Sequence, residues 1–239
     1  MDDRLERISK SIYRNIGFVD NEKYNPLMFV VNELLPRYKE VKYKLKNDEM
    51  IIRKLEALDT ICNIISIAKY GFSEKDLILI TGFSEIKALM DEEYPKPKSM
   101  TEYITNNFKY KIGYIVKDFN IFEKTILNAR YQHFGPFLKY NIGSLESKIL
   151  HDVNYLALTD PKFLIKSYYN DYCLELDKDL SERESSDMYT VWLRLFTKYG
   201  KASGFKFAVP EVRFSDYCED KVSKLRKALS SYDNFMEYL

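Results

Sequence analysis

Cysteine and histidine are scarce in this sequence, which has 3 Cys and 2 His among 239 residues. Cys62, Cys173 and Cys218 lie far apart and form no C-x-x-C pair, which excludes a disulfide framework and a zinc site built on cysteines. Cysteine usage of this kind favours a reducing, intracellular location, and we predict the cytoplasm. His133 and His151 form no H-x-H or H-x-x-x-H pair, so we predict no metal site.

Glycine is also scarce, with 8 residues scattered along the chain. The sequence contains no G-x-x-x-x-G-K-[ST], no G-x-G-x-x-G and no G-x-S-x-G. These motifs mark P-loops, dinucleotide-binding folds and hydrolase nucleophiles, respectively. We therefore predict no cofactor and no catalytic residue.

Long apolar runs and net charge are absent as well. No run approaches the roughly 18 apolar residues that a membrane span needs, and the first residues, Met1–Arg4, open with acids rather than with the layout of a signal peptide. We expect no membrane partner. Because 37 basic and 36 acidic residues nearly cancel, any basic surface for nucleic acid must be a local patch.

Helix signals dominate what is present. One apolar face predicts a helix over residues 2–16, Pro26 opens a second, and Asp48 caps a third that runs to about Lys69. Capping patterns predict further helix starts, among them Ser181–Glu184, and Thr159-Asp160-Pro161 predicts another. The last helix is predicted from about Asp216 to Leu229.

Strand signals are confined to two segments. Lys109–Lys117 alternates and contains Gly113, and Phe205–Val209 alternates before Pro210. The predicted fold class is mainly α, a multi-helix domain with a helix-turn-helix-like segment and one small β-hairpin. We divide the chain into N-terminal helices (1–48), a central part (49–119) and a C-terminal helical region (120–239).

The third helix carries a seam of apolar residues in steps of four and three, which is typical of a helix that packs along its length. The seam consists of Ile51, Leu55, Leu58, Cys62 and Ile65. Either it lies at the centre of the domain, or it pairs with a second copy of the chain in a homodimer.

The segment after this helix contains the most specific pattern. Ser73 to Ile80 predicts a short helix, Thr81-Gly82-Phe83-Ser84 a tight turn, and Ser84 to Glu93 a second helix. The order resembles the helix-turn-helix and winged-helix DNA-binding superfamily over about residues 73–93. The resemblance implies that the second helix, with Ser84 and Lys87, enters the major groove of duplex DNA. A plain helical hairpin fits the same residues.

Two groups of cations could contact a phosphate backbone. The first follows the helix-turn-helix-like segment and brackets a possible wing: Lys96, Lys98, Lys109, Lys111 and Lys117. The second is a basic tract with two tyrosines: Arg37, Lys39, Lys42, Lys44 and Lys46. Each also fits a solvated surface, as lysines that protect a hairpin edge or as the polar face of an amphipathic helix.

Acidic residues leave a nuclease as a third possibility. Asp76 with Glu85-Ile86-Lys87 matches the letters of metal-dependent nucleases of the PD-(D/E)xK type. The acidic stretch Asp171–Asp187 could bind a metal, but such stretches are more often solvated loops.

From the sequence, the leading hypothesis is a non-enzymatic, winged-helix-like DNA-binding protein of viral or mobile-element style. The alternative is a helical structural or adaptor protein that mediates protein–protein assembly.

Overall fold

The computed structural model describes residues 3–16, 26–36, 48–65, 74–83, 132–134, 137–139, 144–166, 181–193 and 207–239, with residues 102 and 120 singly. These residues are mainly helical, which confirms the predicted fold class at that level. The helices are α1 (Asp3–Ile16), α2 (Pro26–Phe29, continuing as the π-helical turn Val30–Leu34), α3 (Asp48–Ile64), α4 (Glu74–Phe83), α5 (Leu145–Ala157), α6 (161–166), α7 (Glu182–Leu193), α8 (Pro210–Arg213), α9 (Asp216–Ala228) and α10 (Tyr232–Met236).

Helix α3 is the centre of the packing and contacts α1, α4, α5 and α8. Ile51, Leu55 and Ile61 are completely buried, and Leu58 and Ile65 retain 1% of their accessible surface. Full burial of each such side chain contributes roughly 1.5–3 kcal/mol.

This packing does not support the predicted homodimer through the α3 seam. Four of the five seam residues, Ile51, Leu55, Leu58 and Ile65, are at most 1% exposed, and Cys62 is half-buried. The side chains that cover them come from α4, α5 and other helices of the same chain. These four seam residues therefore have almost no surface left for a second copy.

Helix α4 corrects the turn of the helix-turn-helix-like segment. The turn was predicted at Thr81–Ser84, but Thr81, Gly82 and Phe83 are the last residues of α4. Gly82 serves close packing: a Cβ atom added there would lie 2.6 Å from Cγ2 of Val30. The second predicted helix, 84–93, lies outside the described residues.

Of the two predicted strand segments, one is contradicted by the structure and the other is not described by it. The predicted strand at Phe205–Val209 is wrong over residues 207–209, which form no strand, and Pro210 begins α8 at its first position. The predicted hairpin at Lys109–Lys117 lies outside the described residues. An antiparallel pair, β1 (Gln132–Phe134) and β2 (Phe137–Lys139), joins Gln132 to Lys139 and Phe134 to Phe137.

The C-terminal helices form a second hydrophobic cluster. Its buried members are Leu164, Ile165, Leu225, Ala228, Leu229 and Phe235. Tyr189 of α7 packs its ring 5.3 Å from that of Phe235, and burial raises the pKa of the Tyr189 phenol above its ordinary value. Within the described ranges, no helix is both long and apolar enough to cross a membrane.

Candidate binding surface at the start of helix α9

The short helix α8 and the longer α9 meet at a two-residue corner, Phe214-Ser215. Val209 is extended at the start of α8 (φ −84°, ψ 124°), and Pro210 follows at the first helical position, where its missing N–H costs nothing. Ser215 returns to an extended conformation (φ −77°, ψ 124°) and opens α9. The backbone thus changes direction at Phe214.

A buried carboxylate holds this corner to the core. Asp152 of α5 is fully buried and accepts hydrogen bonds from the backbone N–H of Ala208 at 2.6 Å and of Val209 at 2.8 Å. The Nε of Arg213 donates to the carbonyl of Phe207 at 2.8 Å. Hydrogen bonds to a charged acceptor are the stronger kind, so the chain before α8 has a defined position.

His151 and Cys218 complete the buried polar group around Asp152. Nδ1 of His151 lies 2.9 Å from Oδ1 of Asp152, and His151 is 4% exposed. Burial raises the pKa of the Cys218 thiol, and the Asp152 carboxylate adds to the rise. A buried thiol with a raised pKa is a poor nucleophile, and the hydrogen bonds that Asp152 accepts position the chain before α8.

Two aromatic side chains project from this fixed corner into solvent. Phe214 is 77% exposed and Tyr217 is 51% exposed. A single exposed apolar residue is ordinary. These two, however, lie three positions apart, Phe214 just before helix α9 and Tyr217 in its first turn, and we call them the aromatic corner.

A cleft of ≈ 100 Å³ lies beside the aromatic corner and shares Tyr217 with it. Helix α3, the end of α5 and helix α9 form its walls. We call it the polar cleft, and its lining residues are Arg53, Glu56, Ala57, Thr60, Leu156, Ala157, Thr159, Asp160, Tyr217 and Lys221.

Both acids of the polar cleft already have cationic partners. Glu56 receives two hydrogen bonds from Arg4, at 2.9 and 2.7 Å, and these, with those to Glu49, raise the pKa of the Arg4 guanidinium. Oδ2 of Asp160 accepts from Nη1 of Arg53 at 2.9 Å. Oδ1 of Asp160 caps α6 by accepting the backbone N–H of Lys162 at 3.0 Å.

The two cations of the polar cleft are differently placed. Arg53 uses Nε for Glu49 (2.7 Å) and Nη1 for Asp160, and its guanidinium stacks 4.1 Å from the ring centre of Phe163. Its Nη2 makes no hydrogen bond to any residue that the structure describes. Nζ of Lys221 lies 5.5 Å from the ring centre of Tyr217 and forms no ion pair within the described part of the chain.

The residues predicted from the sequence to bind DNA are not among those that the structure describes. They are Ser84, Lys87, Lys96, Lys98, Lys109, Lys111, Lys117, Arg37, Lys39, Lys42, Lys44 and Lys46. Asp76 lies in helix α4, while Glu85 and Lys87 fall outside the description. Of the acidic stretch, residues 181–187 start α7, and no three His, Cys, Asp or Glu side chains in the described ranges group as metal ligands would.

Sequence reasoning missed the aromatic corner, although a local signal was present. Phe214 directly precedes Ser215, the N-cap of α9. An apolar residue in that position usually packs against the fourth residue of the helix, which here is the exposed acid Glu219. With no apolar partner there, Phe214 stays in solvent. Comparison of the chain with protein-family models, with curated proteins and with solved structures finds no match.

Proposed function

We propose that this chain is a non-enzymatic binding protein that docks a partner protein on the aromatic corner. The observation that carries the proposal is the exposure of Phe214 (77%) and Tyr217 (51%) on a backbone that the Asp152 carboxylate holds in place. Aromatic side chains on a pre-organised backbone are frequent anchors of protein interfaces, because they bury a large area at a small entropic cost.

The test uses the full chain and a displayed library of random dodecapeptides. We expect selected peptides to bind the native chain and to lose affinity roughly tenfold or more with Phe214→Ser, since an anchor residue contributes roughly 2 kcal/mol or more. Met236→Ser is the matched control, because Met236 is also exposed (39%) but lies on α10. Peptides that bind both variants equally, or a failure to select any peptide, would contradict the proposal.

Duplex DNA is the second candidate partner, through residues 84–117. Its support is the setting of α4: Leu77 to Gly82 are all buried, and Gly82 lies against Val30. In a helix-turn-helix, the helix that precedes the one in the major groove packs firmly against the rest of the domain. Helix α4, which ends immediately before Ser84, is packed in this way.

A gel-shift experiment with random duplex DNA at several salt concentrations tests this candidate. Replacing Lys87, Lys96, Lys98, Lys109 and Lys111 by Ala should weaken binding to all sequences alike and flatten the salt slope by about one unit per lost contact. The control replaces five exposed cations of α6 and α9 by Ala: Lys162, Lys166, Lys224, Arg226 and Lys227. Equal losses in both variants, or no binding at low salt, would rule out this DNA surface.

A further inference from the structure

We infer that the polar cleft binds an acidic side chain of the partner protein, next to the apolar residue that covers the aromatic corner. This inference rests on the proposed docking function and adds the chemistry of the occupant.

Both carboxylates of the polar cleft are neutralised by cationic partners, whereas its two cations keep hydrogen-bond donors that no described residue accepts. Glu56 is occupied by Arg4 on both carboxylate oxygens. Asp160 is occupied on one oxygen by Arg53 and on the other by the first backbone N–H groups of α6. A cationic ligand would have to share these carboxylates with Arg4 and Arg53, whose positive charges would repel it.

The threonine hydroxyl groups of the cleft are also occupied as donors. Oγ1 of Thr60 donates to the carbonyl of Glu56 at 2.9 Å, and Oγ1 of Thr159 donates to that of Leu156 at 2.7 Å. The donors left open are the hydroxyl of Tyr217 and the charged groups Nη2 of Arg53 and Nζ of Lys221, none of which has an acceptor among the described residues. A carboxylate accepts strong, charge-assisted hydrogen bonds from cationic donors of this kind.

The size of the cleft favours a side chain over a cofactor. Its volume of ≈ 100 Å³ has room for a few water molecules or for a carboxylate group. Sites for drug-sized ligands have roughly 300–1,000 Å³. The cleft therefore suits the end of an Asp or Glu side chain.

The cleft and the aromatic corner are joined in a way that lets one segment of a partner occupy both. Tyr217 belongs to both, and Lys221 follows it by one turn of α9, with its ammonium over the Tyr217 ring. A carboxylate at Lys221 would replace this weak cation–π contact with an ion pair that the partner shields from water.

The first experiment probes the cleft without any partner. N-acetyl-glutamate α-amide is titrated into the full chain at about 0.15 M salt, with N-acetyl-glutamine α-amide as its neutral twin, and binding is followed by NMR. We expect a Kd of millimolar order for the carboxylate and roughly tenfold weaker binding of the amide. Lys221→Gln should abolish the difference, whereas Lys227→Gln, the same charge change on the exposed face of α9, should preserve it. Equal binding of the twins, or tighter binding of inorganic phosphate, would overturn the inference.

The second experiment uses the dodecapeptides whose binding depends on Phe214. Changing their acid to the amide should weaken binding to the native chain roughly tenfold and to Lys221→Gln much less, because the two changes remove one ion pair. Peptides that depend on Phe214 but neither on their acid nor on Lys221 overturn the inference and leave the docking function standing. The cleft could also bind N-acetyl-glutamate α-amide while the library yields no peptide whose binding depends on Phe214. That result would overturn the docking function, and with it the inference that the carboxylate belongs to a partner protein.

Discussion

Asp152 accepts a hydrogen bond of 2.8 Å from the backbone N–H of Val209, 57 residues further along the chain. This contact joins the middle of α5 to the residue that starts α8. Phe214 directly follows α8, and Tyr217 lies in the first turn of α9. The position of the aromatic corner is therefore fixed by a carboxylate that solvent does not reach.

Replacing Asp152 by Asn should destabilise the fold and release this segment. An amide oxygen can accept from Ala208 or Val209, but the NH₂ group that replaces the second oxygen would face a donor. We expect a loss of roughly 2–4 kcal/mol in the free energy of unfolding, because hydrogen bonds to a charged group are lost in a buried site. Urea unfolding measures the loss, and hydrogen exchange of the Ala208 and Val209 amides locates it. Asp187→Asn, on the exposed face of α7, is the control. Unchanged exchange at both amides would contradict the role of Asp152.

Replacing Gly82 by Ala should also destabilise the fold, although Ala favours helices by about 1 kcal/mol over Gly. The new Cβ would lie 2.6 Å from Cγ2 of Val30, a fully buried residue with no room to move. Overpacking of this kind costs roughly 1–3 kcal/mol. A double-mutant cycle with Val30→Ala tests the contact by thermal or urea unfolding. The combined variant should lose less stability than the sum of the two single changes. Simple additivity would show that the side chain of Val30 is not what excludes a Cβ atom at Gly82.

Asp59 predicts a dependence of stability on pH. Burial raises the pKa of its carboxyl above the ordinary value, and a hydrogen bond from Ser11 lowers it only in part. The folded chain therefore holds this proton more tightly than the unfolded chain does. The contribution of Asp59 to stability is most favourable below its unfolded pKa and is lost as the pH rises through its folded pKa. Asp59→Asn should raise the free energy of unfolding at neutral pH and leave it nearly unchanged in acid. Parallel pH profiles of the two proteins would contradict the assignment.

Replacing Ile61 by Asp tests whether α3 is the centre of the fold. Ile61 is completely buried, so the new carboxylate would be removed from water and would not gain a cationic partner in exchange. We expect a loss of roughly 4 kcal/mol or more, seen as unfolding or as a large fall in melting temperature. Ser223→Asp places the same charge on the exposed face of α9 and should change stability little. A folded Ile61→Asp variant with unchanged melting would show that α3 is peripheral.

The helix starts were predictable because their signals are local. The capping box at Ser181–Glu184 forms as predicted: the Ser181 N–H donates to Oε2 of Glu184 at 3.0 Å, and the Glu184 N–H donates to Oγ of Ser181 at 3.3 Å. Helix α6 begins at residue 161, and α9 begins at Asp216, both as predicted. Capping is decided by a few adjacent residues, so the sequence contains all the information that it needs.

The remaining features depend on residues that are distant along the chain. An apolar seam on α3 shows that something covers it, but the sequence does not show whether α5 or a second copy does so. Phe207 and Val209 alternate inward as in a strand, yet the N–H of Val209 donates to the side chain of Asp152 instead of to a neighbouring strand. The polar cleft combines Arg53, Asp160 and Lys221 from three separate segments, and no local pattern brings them together.

Helix α9 belongs to both hydrophobic clusters of the protein. Cys218 and Val222 pack in the main cluster, and Leu225 and Ala228, further along the same helix, pack in the C-terminal one. A helix of 13 residues is about 20 Å long and rigid over that length. It therefore connects the aromatic corner at its first turn to the C-terminal cluster at its last turn. The residues that pack α9 into the C-terminal cluster therefore also help to hold the aromatic corner in place.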